Sequence, residues 1–152
     1  EGEEQINLKS EEILVKTSTE VWVFVSDLDI SRFYHSGFLD KLERIAKKGL
    51  SVKLLTNDSP KSSFFAKKLK LNDVKSLSTC PSDLSSFIIV DREQLLFLIN
   101  RNNGQNDDGE EKKERHAALW TNYEAFIKAL GTLFLELWNS KFPLERNEIS
   151  DD

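Results

Sequence analysis

Apolar positions change their period along this chain, and the changes mark its elements. Val21-Trp22-Val23-Phe24-Val25 is an unbroken run of β-formers, the pattern of a strand buried on both faces. Phe38, Leu39, Leu42, Ile45 and Ala46 then recur at helical spacing. Lys47 and Lys48 complement the helix dipole there, and Gly49 supplies a left-handed stop. Val52, Leu54 and Leu55 return to a strand that ends at Thr56-Asn57. Strand, helix and strand with short joints form a βαβ unit.

The second half is read the same way. Ser59-Pro60 opens a helix with a cap followed by proline, and Phe64, Phe65 and Leu69 give it an apolar side. Val74 to Thr79 is a weaker, peripheral strand, broken by Pro81-Ser82-Asp83. Phe87–Val90 and Leu95–Ile99 are two strands joined by a turn at Asp91-Arg92-Glu93, and Ala117–Trp120 is another. Thr121 and Glu124 are spaced as a capping box for a final helix reaching about Asn139. Phe126, Leu130, Leu133 and Leu137 form one stripe on it, and Ile127, Phe134 and Trp138 a second. A stripe this broad predicts burial on more than one side. The helix is expected to pack on the sheet and to meet a second subunit, with Leu130, Phe134, Leu137 and Trp138 at a homodimer interface.

Between these elements lie segments that cannot build a core. Residues 1–9 read as a flexible lead-in, and Ser10 to Thr17 as a short helix capped by Ser10, with Glu11 and Glu12 at its positive end. Residues 100–116, with Asn102-Asn103-Gly104-Gln105-Asn106-Asp107-Asp108-Gly109, read as a mobile loop. A solvated hairpin loop is favoured over a lid there. Residues 141–152 read as a polar tail or linker, which leaves 10–140 as one domain.

Bulk properties narrow the function. A chain of 152 residues with 39% hydrophobic and 31% charged positions suits one globular domain. It contains no apolar run of the ~20 residues a bilayer requires, and its first residues are acidic. The net charge of −5 argues against direct nucleic-acid binding, which draws on lysine and arginine. The single cysteine, Cys80, permits no internal disulfide and suits a reducing cytoplasm. The chain has no methionine, and so reads as one module of a longer protein.

Candidate chemistry is sparse. Two histidines, His35 and His116, and one cysteine give no zinc-like spacing, and no glycine-rich phosphate loop is present. No metal and no cofactor are predicted. Asp27 and Asp29 could hold a cation, but their place after a strand favours capping the next segment. Cys80 reads as an inert buried thiol rather than a redox sensor, and Lys67, Lys68 and Lys70 as a solvated helix face. Trp22, Trp120 and Trp138 are expected in the core. Trp120 has the best claim on a ligand, since it ends a strand beside Thr121 and Asn122.

Phe87-Ile88-Ile89-Val90-Asp91 and the block Ala118 to Trp138 resemble a phospholipase D-like domain. The likeness is to the version found in archaeal TrmB-type transcription regulators and archaeal sensor histidine kinases. It runs from about Glu12 to Trp138. It implies an α/β fold: one phospholipase D-like domain with a central mixed sheet and helices on both faces. Enzymes of that family use a His-x-Lys-x-x-x-x-Asp motif, with an imidazole to attack phosphorus and a cation to offset the developing charge. With Asp91 set on the motif aspartate, the other two positions are Leu84 and Ser86, and neither supports the reaction. The resemblance therefore implies a non-catalytic sensory module, flanked by a kinase or DNA-binding domain, that binds a small molecule or relays a signal through dimerisation. A purely structural dimerisation or docking module is the alternative. Family topology further implies a vestigial ligand pocket rimmed by Ser26, Asp27, Asn57, Trp120 and Asn122.

Overall fold

The computed structural model describes residues 2–77, 84–102 and 114–140, with only the backbone of 3, 100–102 and 114–116. Eleven elements follow one another: α1 (Glu3–Val15), β1 (Glu20–Val25), α2 (Asp27–His35), α3 (Phe38–Lys47), β2 (Ser51–Asn57), α4 (Pro60–Ala66), β3 (Val74–Leu77), β4 (Phe87–Val90), β5 (Gln94–Asn102), β6 (Glu114–Thr121) and α5 (Glu124–Trp138). The strands form one six-stranded sheet in the order β3-β2-β1-β4-β5-β6. β1, β2 and β3 run parallel, as their helical crossovers require. β4, β5 and β6 form an antiparallel meander that joins β1 through β4, with Val23 opposite Ile88. No described helix is long and apolar enough to cross a membrane.

Alternation along the strands divides the core in two. Val21, Val23 and Val25 share one face with Leu54, Ile88, Val90, Leu96 and Leu98. Ile13 and Leu14 of α1, Ile30 and Phe33 of α2, and Leu39 and Leu42 of α3 close over it. Trp22 and Phe24 point the other way, with Leu55, Phe87, Ile89 and Leu95, and meet α5 through Ile127, Phe134 and Trp138. The Phe134 ring stacks on Trp22 at 5.4 Å between centroids, and Trp138 stacks on Phe134 at 5.9 Å. Helices therefore cover both faces of a mixed sheet.

Several expectations are corrected. The first helix starts at Glu3, inside the stretch read as a flexible lead-in, because Ile6 buries against the core. Ser10 is not its cap; the Ser10 hydroxyl donates to the Ile6 carbonyl at 2.8 Å. Asp27 and Asp29, read as capping the segment after β1, instead lie within a helix of their own, α2. Thr121 ends β6 and accepts the Tyr123 amide at 2.9 Å, and Tyr123 holds the cap position of α5. Phe134 and Trp138, expected at a subunit contact, are 0% and 8% exposed because they fill the chain's own core. Leu130 and Leu137 are half-buried. β5 and β6 extend to Asn102 and from Glu114, so only 103–113 of the expected loop lie outside the described residues, as do Cys80 and the tail from 141.

Candidate functional site

At the carboxyl end of β1, the chain turns directly into α2 and brings Ser26, Asp29 and Arg32 together with Ser86, just before β4. Asp29 is 1% exposed, and Arg32 pairs with it at 2.7 Å, one helical turn on. The Ser86 hydroxyl donates to Asp29 Oδ2 at 2.5 Å, and the Ser26 hydroxyl donates to the same oxygen at 3.2 Å. Ser86 Oγ also accepts the Ser26 amide at 2.9 Å. A buried carboxylate is tolerated only when paired and hydrogen-bonded, and here it is both.

Asp27 sits beside this cluster and ties α2 to α4. Its amide donates to Asn57 Oδ1 at 2.8 Å, and its Oδ1 accepts the hydroxyls of Ser59, at 2.7 Å, and of Ser62. Ser59 also caps α4, accepting the Ser62 amide at 3.1 Å. Ser26, Asp27 and Asn57 are thus neighbours, as the expected rim requires. Their polar atoms are engaged with one another and with Ser59, Ser62, Asp29 and Ser86. Asp27 and Asn57 stay half-buried at the surface of the cluster, and Ser26 is buried within it. Sequence reasoning pairs Asp29 only with Asp27, as a candidate cation site, and misses Arg32. The i+3 spacing of Arg32 from Asp29 is the signal that finds it.

Trp120 and Asn122 are at the opposite end. β6 runs antiparallel to β5, so its last residues lie at the amino end of β1. The five-residue rim is therefore not one site. Trp120 donates its indole N–H to Gln94 Oε1 at 3.1 Å, with Lys9 Nζ 4.5 Å from its ring centroid.

The amino end has its own organising residue. Asp91 accepts the amides of Ser18 at 3.0 Å, Thr19 at 2.8 Å and Glu20 at 3.0 Å, as well as the Ser18 and Thr19 hydroxyls. Partial burial pushes its pKa up, but hydrogen bonds from Glu20, Thr19 and Ser18 outweigh that and hold the carboxyl at about 2, from 3.8. Asp91 and Arg92 have φ of 55° and 56°, and Glu93 N–H closes the turn onto Val90 O at 2.9 Å. Left-handed backbone at two successive non-glycine residues is uncommon, and Asp91's five bonds hold it in place. Arg92 pairs with Glu20 at 2.7 Å, and its guanidinium lies 4.6 Å from the Trp22 ring centroid.

Two adjoining clefts open here. One, of about 230 Å³, lies between the sheet and α5, lined by Trp22, Ile89, Arg92, Ile127, Gly131 and Leu135 among others. The other, of about 530 Å³, is wider and more polar, and Lys16, Arg92, Glu93, Trp120, Asn122 and Glu124 line it. They share Arg92, Glu124 and Ile127.

No family model matches the chain, and no curated protein matches it. Solved structures do. Nuc from Salmonella typhimurium, a phospholipase D family member, has a TM-score of 0.62 at 15% identity, over 87% of this chain and 86% of its own. NucT from Helicobacter pylori has a TM-score of 0.63 at 11% identity, over 90% and 89%. TrmBL2, an archaeal chromatin protein with a novel mode of DNA binding, has a TM-score of 0.53 at 17% identity. That match covers 88% of this chain but 48% of TrmBL2, so the chain spans about half of it. The chain therefore has a phospholipase D-like fold, an α/β domain with a six-stranded mixed sheet and five helices among the described residues.

Proposed function

We propose that this chain is a non-catalytic sensory module of a larger signal-transduction protein, either a sensor histidine kinase or a TrmB-type transcription regulator. The observation that carries this reading is the closed cluster at the carboxyl end of β1. Ser86 stands where the resemblance places the phosphate-holding lysine, and it is 0% exposed and bound to Asp29 and Ser26. Leu84 stands where the resemblance places the nucleophile, and it packs with the α5-side core. A serine committed to a buried carboxylate offers no cation to a phosphoryl group. The two described groups nearest in kind fare no better: Arg32 is held by Asp29, and the His35 ring packs near Tyr34 and Phe65. Turnover of a generic phosphodiester such as bis-p-nitrophenyl phosphate is expected to stay at the buffer rate. Hydrolysis abolished by changing His35 or His116 would overturn the reading. Ligand sensing is checked by thermal shift against a metabolite set, where a ligand at a hundred times its Kd adds about 2.7 kcal/mol.

A dimerisation module is the second reading. Phe126 of α5 is 55% exposed and Leu119 of β6 is 48% exposed, and Leu130, Leu133 and Leu137 continue the α5 stripe half-buried. Light scattering decides it: a strict monomer at high concentration removes it, and a dimer split by Phe126→Glu supports it.

A further inference from the structure

We propose that the cleft between α5 and the amino end of the sheet binds a small zwitterion with an apolar side chain, a free amino acid. The proposal rests on the sensory reading above and gives it a ligand class and a place.

The floor is apolar. Trp22, Ile89, Ile127 and Leu135 line it, and Gly131 of α5 gives it depth. Glycine inside a helix is unfavourable and calls for a reason. Tight packing is not that reason here. A Cβ at Gly131 would meet Trp22 Cζ3 at 3.5 Å and Ile89 Cδ1 at 4.0 Å, which is ordinary contact. What glycine supplies is empty space beside the Trp22 ring. The same tryptophan is 3% exposed, and its indole N–H has no hydrogen-bond partner among the described residues. A buried donor without an acceptor is costly, and such groups in native structures call for an explanation.

The rim carries both signs. Lys16, Arg92 and Lys128 stand with Glu93 and Glu124, of which Glu124 pairs with Lys128 at 3.1 Å, and Asn122 and Gln94 share the lining. A polyanion such as a nucleotide would meet the two carboxylates, and a simple cation the three basic groups. A molecule bearing one carboxylate and one ammonium suits the balance. Arg92 is held in position to meet the carboxylate. Its left-handed turn is anchored through Asp91, and Glu20 and the Trp22 ring hold its guanidinium at the cleft mouth. An inner volume of about 230 Å³ has room for one small ligand and falls below the usual drug-sized pocket.

The test uses the whole chain with L-leucine and L-phenylalanine as probes. The Trp22 indole resonance is followed by NMR, and melting temperature in parallel. The expected result is a saturable shift of that resonance. It weakens at least about tenfold for N-acetyl-leucine, which lacks the ammonium, and for leucinamide, which lacks the carboxylate. Gly131→Leu fills the cleft and is expected to abolish the shift. Gly131→Ala raises the melting temperature while weakening binding, which separates lost binding from lost fold. No shift up to ~10 mM of either amino acid in folded protein overturns the proposal. So does a shift that Gly131→Leu leaves unchanged. If some other metabolite stabilises the chain while both amino acids fail, this site is wrong and the sensory reading stands. If none does, both fall.

Discussion

The hydroxyl of Ser86 ties the start of β4 to the β1–α2 junction 57 to 60 residues earlier, donating to Asp29 at 2.5 Å while accepting the Ser26 amide at 2.9 Å. Removing that one oxygen strips a donor from a buried carboxylate and an acceptor from a buried amide. Ser86→Ala is expected to lower unfolding free energy by about 1–3 kcal/mol in a urea titration. Retention of wild-type stability would show that the cluster is slack.

Asp91 predicts an acid dependence. Its pKa lies at about 2 in the folded chain against 3.8 ordinarily, so the folded state favours the charged form. The stabilisation is fully present above about pH 4 and is lost as pH falls towards 2. The group is largely solvated, so screening reduces its worth to about 1 kcal/mol. Asp91→Asn keeps the tolerance for positive φ and one acceptor. It is expected to flatten the stability profile between pH 4 and 2, measured by urea midpoints across that window.

Phe134 and Gly131 lie on the same helix and are expected to respond in opposite directions. Phe134 is fully buried between Trp22 and Trp138, so Phe134→Ala should cost about 3–5 kcal/mol. That loss should be independent of protein concentration, because the contacts are within one chain. Gly131→Ala should instead stabilise the fold by up to about 1 kcal/mol, since the added methyl meets only ordinary contacts. Denaturant titration of both variants checks the pair.

Much of the architecture is legible from residue pattern. The run Val21–Val25 is a central strand, Ser59 caps α4 as its Ser-Pro pair predicts, and Asp91-Arg92-Glu93 turns β4 into β5. Helix α2 is not legible, because a buried Asp29 breaks its apolar period and its neutralising partner is a side chain rather than a pattern. The start of α1 is hidden because Ile6 is the one buried apolar residue before Ile13. The ligand rim fails for a reason of direction. Strand ends gather at one edge only in parallel sheets, and β6 runs against β1, so Trp120 and Asn122 arrive at the far edge from Ser26. Residue types alone also do not reveal that Arg92 and Gly131 face a common cleft.

The β1–β4 seam is clasped at both extremities, by Ser86 to Ser26 at one and by Asp91 to Ser18, Thr19 and Glu20 at the other, and these bonds join positions 60 to 73 residues apart. Chain closure over such separations is slow relative to hairpins and helical crossovers. The parallel and meander halves can thus nucleate independently and zip together late. Chevron kinetics should then find Ser86→Ala and Asp91→Asn accelerating the unfolding limb more than they retard refolding.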